Sequence, residues 1–145
     1  MVANPQTDAA TPVVFKVVEL LDVTIPLPTV HGEVTLVEQE APYRTLSFPI
    51  ALQEAAAIAA AQKSQAMPRP STHELFTSVL KSFTIDVVAL RITSMVEGVL
   101  YGEIDLMGTR GREILSCRPS DGIILCLRQV VPAPILVAEA VLDGF

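Results

Sequence analysis

The tripeptide Arg-Pro-Ser occurs twice in the chain, at residues 69–71 and 118–120, and each copy runs into a segment predicted to be a helix. A helix start carries a partial positive charge and unpaired N–H groups. An arginine beside it adds like charge, so we expect an anion at both places. A carboxylate of the chain itself would make these corners architectural, whereas a bound phosphate would make them a site.

Residues suited to proton transfer follow both motifs. Histidine exchanges protons near neutral pH, which makes His73 a candidate general base or acid. Glu74 and Asp121 are carboxylates that can hold water or a divalent ion. We therefore predict His73, Glu74 and Asp121 as the catalytic residues.

The residues beside the two helix starts also carry the charges and hydroxyl groups that bind phosphate oxygens. The predicted phosphate-binding residues are Arg69, Thr72, Arg118 and Ser120. A metal ion would need carboxylates gathered across the fold, because no single segment holds a dense Asp/Glu cluster. The candidate ligands are Asp121, Glu74 and Glu54, with Mg²⁺ or Mn²⁺ as the expected ion.

Each candidate also has a purely structural interpretation. Glu74 stands three residues after Ser71, which is the spacing of a capping box, and Asp121 stands near a helix start where the dipole favours an acid. His73 lies in a first helical turn and can bond a neighbouring loop. His31, beside Gly32, is predicted to be an ordinary loop residue.

The two arginines have a structural interpretation as well. Arg69 and Arg118 can form internal ion pairs that hold the two halves of the chain together. Their candidate partners are Glu54, Glu103 and Asp105.

The composition limits the classes of protein to consider. The 145 residues fit one domain, residues 13–145, preceded by a predicted disordered tail at residues 1–12. Half of the residues are hydrophobic and the mean hydropathy is +0.48, which favours a homo-oligomer, a dimer or trimer, that hides apolar surface. The net charge of −6 argues against a broad basic nucleic-acid surface. Only residues 44–81 have excess positive charge, so any nucleic acid would bind through a local site.

The sequence also favours a cytoplasmic protein. No apolar run reaches the roughly 18 residues that a membrane-spanning helix needs, so we expect no membrane segment. The first residues lack the basic start and apolar stretch of a secretion signal. Cys117 and Cys126 have no partners at zinc spacing and are expected to be reduced thiols.

The order of predicted elements indicates a duplicated unit. Alternating apolar patterns predict strands, and alanine-rich or 3.6-periodic patterns predict helices. The predicted strands are 13–21, 33–40, 43–50, 85–93, 99–107 and 112–117. The predicted helices are 52–65, one that starts at Ser71, and 120–130, and residues 135–142 form a short strand or a helical turn. This order predicts an α+β domain with one mixed, strongly curved, barrel-like sheet and packed helices.

Several of these residues together resemble the bifunctional nuclease domain family. The resemblance covers about residues 14–142 and rests on the order and spacing of two motifs, Arg-Pro-Ser-Thr-His-Glu-Leu and Arg-Pro-Ser-Asp. Its other parts are Arg44, Leu46, the segment 54–58, Gly98 with Tyr101, and the segment 134–139. The resemblance implies an α+β fold with a barrel-like sheet, a tendency to oligomerise, and nuclease activity towards RNA and DNA.

The chain departs from the family pattern at three places. The family usually has Leu-Pro-Ile-Trp-Ile-Gly where this chain has residues 46–51, without the tryptophan and the glycine. It commonly has an aspartate at the position of Ser116 and an alanine at the position of Gly122. Two hypotheses follow: a nuclease that hydrolyses phosphodiesters, or a non-catalytic oligomeric module whose Arg-Pro-Ser corners form salt bridges or bind a small anion.

Overall fold

The fold is a seven-stranded mixed sheet with four helices. The computed structural model describes residues 12–28 and 30–144. Its strands are β1 Phe15–Thr24, β2 His31–Glu38, β3 Thr45–Ala51, β4 Asp86–Val96, β5 Val99–Gly108, β6 Gly111–Cys117 and β7 Ile135–Ala138. Its helices are α1 Leu52–Gln62, α2 Thr72–Ser82, α3 Pro119–Leu127 and α4 Glu139–Asp143. The predicted tail, apart from Pro12, lies outside the described residues.

The strand order across the sheet is β3-β2-β1-β7-β4-β5-β6. Strands β1–β3 and β4–β6 each form an antiparallel meander, and β7 joins them, antiparallel to β1 and parallel to β4. The α+β class and the mixed, curved sheet are therefore confirmed, but the sheet stays open, with β3 and β6 at its edges. The duplication of the unit remains a prediction.

The hydrophobic core lies where the helices pack on the sheet. Side chains of the sheet and of α1 and α3 are fully buried there, among them Leu36, Ile58 and Ile123. The alanine-rich α1 approaches β2 closely: a Cβ atom built on Gly32 would lie only 2.5 Å from Cβ of Ala55. Small residues at both positions thus set the depth of α1 on the sheet.

The predicted start of α2 is confirmed. Ser71 accepts a hydrogen bond from the backbone N–H of Glu74, whose carboxylate accepts one from the N–H of Ser71. Helix α1 ends three residues earlier than predicted, at Gln62, because Ser64 takes a left-handed conformation with φ of 53° and closes the last turn. Helix α3 likewise ends at Leu127.

The remaining boundaries follow from turns and pairing. The hairpin of β4 and β5 turns through Glu97 and Gly98, both with positive φ, which lets β4 run on to Val96. Pro49 lies inside β3, which tolerates proline because it is an edge strand. The segment 135–142 forms both alternatives in turn, β7 and then α4.

Arg44 connects α4, the last helix, to the sheet. Its Nε lies 2.8 Å from Oε2 of the buried Glu38, and its Nη2 lies 3.2 Å from Oε2 of Glu139 at the start of α4. The hydrogen bonds from Arg44 hold the pKa of the Glu38 carboxyl below its usual value.

Among the described residues, no helix combines the length and apolar character needed to cross a membrane.

Candidate functional site

One open cavity of about 780 Å³ is lined by one residue of each Arg-Pro-Ser motif, Ser71 and Arg118. Helix α2 begins directly after Ser71, and α3 begins directly after Arg118, with Pro119 as its first residue. Ser71, Thr72 and His73 line the cavity from α2, and Arg118 and Asp121 line it from α3. The fold therefore brings together motifs that stand almost fifty residues apart in the sequence.

Four side chains at this cavity form one polar cluster. Nε2 of His73 lies 2.7 Å from Oδ1 of Asp121. Arg118 donates from Nε to Oδ2 of Asp121 over 2.7 Å and from Nη2 to Oδ1 over 3.0 Å. Nη1 of Arg118 lies 2.7 Å from Oε2 of Glu54, which projects from the first turn of α1. Three helices thus contribute to the cluster.

The electrostatics of the cluster centre on Asp121. Burial alone would raise the pKa of the Asp121 carboxyl, but hydrogen bonds from Arg118 and His73 outweigh burial and hold that pKa below its usual value. The hydrogen bonds to Asp121, reinforced by the charges of Asp121 and Glu54, raise the pKa of Arg118. The pair is therefore ionised at neutral pH, while two thirds (66%) of the Arg118 side chain stays exposed.

The rest of the cavity wall is largely apolar. Phe76 from α2, Ile104 from β5 and Leu115 from β6 line it. Ser116 and Cys117, at the end of β6, complete this side of the cavity. Burial raises the pKa of the Cys117 thiol to about 11, so this cysteine is a poor nucleophile at neutral pH.

Glu74 serves the backbone of α2. Its Oε1 accepts a hydrogen bond from the N–H of Ser71 at 3.1 Å, and its Oε2 accepts one from the N–H of Met67 at 3.4 Å. Both hydrogen bonds, and most of all the one from Ser71, lower the pKa of the Glu74 carboxyl. The capping interpretation of Glu74 is confirmed, and this residue is not among those that line the cavity.

The predicted phosphate-binding residues divide into two groups. Arg118 and Thr72 line the cavity, whereas Ser120 is buried inside the start of α3 and Arg69 is exposed and does not line the cavity. The internal pairing predicted for Arg118 with Glu54 is present. Arg69 has no ion pair within the described part of the chain, and Asp105 pairs with Arg91 and Arg112 instead.

The predicted metal ligands do not converge. Within residues 12–28 and 30–144, no group of three or more His, Cys, Asp or Glu side chains is placed to hold a metal ion. Both oxygens of Asp121 and one oxygen of Glu54 face Arg118. A guanidinium group between two carboxylates repels a cation, so this donor set does not fit a divalent ion in the observed arrangement.

Sequence reasoning found Glu54 of α1 but missed its neighbour Gln53, and it missed Leu115 of β6. Neither residue carries a recognisable motif, yet both line the cavity, as does Ser116, which was noted only as a departure from the family pattern. Only the pairing of β6 with β5 brings Leu115 opposite Ile104. Phe76 had a local signal, because it stands three residues after His73 on α2 and so shares its face.

Comparison with known proteins adds a family match. A family model described as bifunctional nuclease domain matches residues 34–144, a range that includes all four side chains of the polar cluster. Two curated proteins of Mycobacterium tuberculosis, one from each of two strains and both described as uncharacterized, are 39% identical to this chain over 99 residues. The match covers 68% of this chain and 57% of each relative, so the chain corresponds to little more than half of their length.

Proposed function

The chain belongs to the bifunctional nuclease domain family, and from this premise we propose that it hydrolyses phosphodiester bonds of RNA or DNA in the cavity between α2 and α3. The observation that supports this proposal most is the cluster of His73, Asp121 and Arg118. It joins a proton-transfer group, a carboxylate that orients it, and a phosphate-binding group at one open surface.

Arg118 is the proposed phosphate ligand. A guanidinium group has five N–H donors, and the hydrogen bonds and ion pair of Arg118 with Asp121 and Glu54 engage three of them. The remaining donors, on an exposed side chain, are free to bind the non-bridging oxygens of a phosphodiester. There they would stabilise the charge that develops on these oxygens during attack at phosphorus.

His73 is the proposed proton acceptor. Asp121 holds Nε2, which leaves Nδ1 to exchange a proton. In the proposed step, water gives a proton to Nδ1 while its oxygen forms a new bond to phosphorus. The bond between phosphorus and the leaving oxygen breaks, and the leaving oxygen takes up a proton. In the net reaction His73 gives up the proton that it received and is neutral again. The products are one hydroxyl end and one phosphate monoester end.

The divalent ion expected from the sequence belongs to the same proposal but needs a rearrangement. Mg²⁺ or Mn²⁺ would have to draw the carboxylates of Glu54 and Asp121 away from Arg118. Cleavage assays in Mg²⁺, in Mn²⁺ and in chelator test this point.

The main experiment compares matched variants on short RNA and DNA strands of defined sequence. His73→Ala and Arg118→Ala should each lower the cleavage rate by about 10²-fold or more. His31→Ala and Arg69→Ala are the controls, since neither residue lines the cavity, and both should cleave at nearly the wild-type rate. Protein freed of host nucleases is essential. Equal cleavage by all four variants would refute the assignment of this site.

A second candidate function is a non-catalytic binding module. It is favoured by the pairing of Arg118 with two carboxylates of its own chain, which leaves the cluster without excess positive charge. This candidate predicts no cleavage by the wild type under any metal condition. For this candidate, His73→Ala and Asp121→Ala would change stability alone, because the cluster would serve only to join α2 to α3.

A further inference from the structure

Strand β6 is an unprotected edge of the sheet. Within residues 12–28 and 30–144 it pairs only with β5, and six of its seven residues are exposed. Two large apolar side chains, Ile114 and Leu115, are 45% and 48% exposed. The opposite edge strand, β3, carries Pro49, which blocks further strand pairing. Strand β6 has neither proline nor lysine, so it retains free backbone groups that can pair with another strand.

Apolar surface continues from β6 onto α2. Phe76 and Val79 of α2, and Phe83 directly after it, line a groove with Leu115, and Phe83 is 70% exposed. Ile114 lies on the other face of the sheet, because neighbouring residues of a strand alternate between the two faces. Backbone pairing along β6 together with this groove would give a second copy both hydrogen-bond and apolar contacts.

The two ends of β6 carry opposite charge. Arg110, in the turn before β6, is exposed and has no ion pair within the described residues. At the other end of the strand, Arg118 is outnumbered by the carboxylates of Glu54 and Asp121. Antiparallel pairing of two identical strands places the start of each beside the end of the other. Such pairing would therefore match opposite charges at both ends.

We propose that β6 pairs with β6 of a second copy of this chain about a two-fold axis, and that each copy supplies Arg110 to the cavity of the other. If Ile114 lies opposite its equivalent, Arg110 lies opposite Arg118 of the second copy, beside Glu54 and Asp121. The added guanidinium would then complete a phosphate-binding site that one chain alone leaves with excess negative charge. The catalytic part of this inference rests on the proposed function, whereas the pairing itself does not.

The first test measures mass by analytical ultracentrifugation. The wild type should sediment with twice the mass of the chain, and Ile114→Lys should sediment with the mass of one chain, because like charges would face each other across the axis. Val130→Lys is the matched control, since Val130 is 93% exposed in the loop after α3, and it should remain a dimer. A monomeric or trimeric wild type, or a dimeric Ile114→Lys variant, would overturn the pairing.

Arg110→Glu gives a second variant in case Ile114→Lys fails to fold. Its turn position is exposed, so folding should be preserved, and like charge beside the second copy's acids should weaken the dimer at least tenfold. Unchanged dimerisation of a folded Arg110→Glu variant would contradict the charge match.

The contribution to the site is tested by mixing two inactive variants. Arg110→Ala and Asp121→Asn should each lose cleavage, but their mixture should recover roughly a quarter of the wild-type rate, because half of the dimers are mixed and each has one intact site. No recovery from an active wild type would show that Arg110 does not act across the interface. If the wild type cleaves nothing, the proposed function has failed and ultracentrifugation alone decides the pairing.

Discussion

Nε2 of His73 and Oδ1 of Asp121 lie 2.7 Å apart, although 48 residues separate them in the chain. This contact joins the first turn of α2 to the first turn of α3. We predict that the two side chains contribute to stability as a pair. In a double-mutant cycle of His73→Gln and Asp121→Asn, the coupling free energy should be on the order of 1 kcal/mol. Urea unfolding at pH 7 measures it, and additive effects of the two substitutions would mean that the contact contributes nothing.

The capping box at α2 predicts a loss of stability in Ser71→Ala. The substitution leaves the backbone N–H of Glu74 without the acceptor that Ser71 Oγ provides, so the free energy of unfolding should fall by about 1 kcal/mol. Ser78→Ala is the control, because the Ser78 hydroxyl donates a hydrogen bond only to the backbone carbonyl of Glu74, which is already part of α2. A loss in Ser78→Ala as large as that in Ser71→Ala would contradict the capping explanation.

Gly122→Ala should destabilise this chain. A Cβ atom at Gly122 would lie 2.4 Å from Cδ1 of Leu90, which is fully buried. Overpacking of a core costs about 1–3 kcal/mol, and the better helix propensity of alanine offsets up to about 1 kcal/mol of it. Chemical unfolding should show a net loss. The loss should shrink when Leu90→Val is also present, and an equal loss in that background would point to a cause other than Leu90.

The buried carboxylate of Asp105 predicts a specific acid sensitivity. Hydrogen bonds from Arg112 and Arg91 lower the pKa of Asp105 against the opposing effect of burial. A lowered pKa contributes stability that is complete above the ordinary aspartate value of about 3.9 and is lost as the pH falls through the lower folded value. Asp105→Asn should therefore be less stable than the wild type at pH 7.

The same comparison at low pH checks the sign of this effect. The gap between wild type and Asp105→Asn should shrink as the pH falls towards 3, because protonated Asp105 no longer carries its charge. Asp86→Asn, at the exposed start of β4, serves as the control. Urea unfolding curves at both pH values measure the gap, and a gap that widened on acidification would be incompatible with a lowered pKa.

The two thiols should react slowly in the folded protein. Burial raises the pKa of Cys117 to about 11 and that of Cys126 to about 12. At pH 8 both are therefore almost entirely protonated, and a thiol is a much weaker nucleophile than a thiolate. Mass spectrometry after iodoacetamide treatment should find little modification in buffer and full modification in urea. Rapid modification of Cys117 in buffer would show that the end of β6 opens.

Local sequence patterns predicted the elements better than their meeting points. The capping box at Ser71 and the alanine-rich α1 are local features, and both were found where they were predicted. The cluster depends instead on how α1, α2 and α3 pack on the sheet. No local pattern predicts that Glu54 and Asp121 both form ion pairs with Arg118, or that Arg69 does not line the cavity.

The edges of the sheet show the same limit. Proline is excluded from the middle of a sheet but not from an edge, and the residues around Pro49 do not reveal that its strand is an edge strand. The position of β7 between β1 and β4 was equally hidden, since the residues of β7 fit a short strand or a helical turn.

The place of β7 also bears on how the protein is made. During synthesis the amino-terminal parts leave the ribosome first and begin to fold. Strands β1 and β4 have no direct pairing with each other, so the two halves of the nascent sheet stay separate until residues Ile135–Ala138 emerge. Until β7 is added, β1 and β4 are both unpaired edge strands that face solvent. Protection by chaperones would matter most during this period.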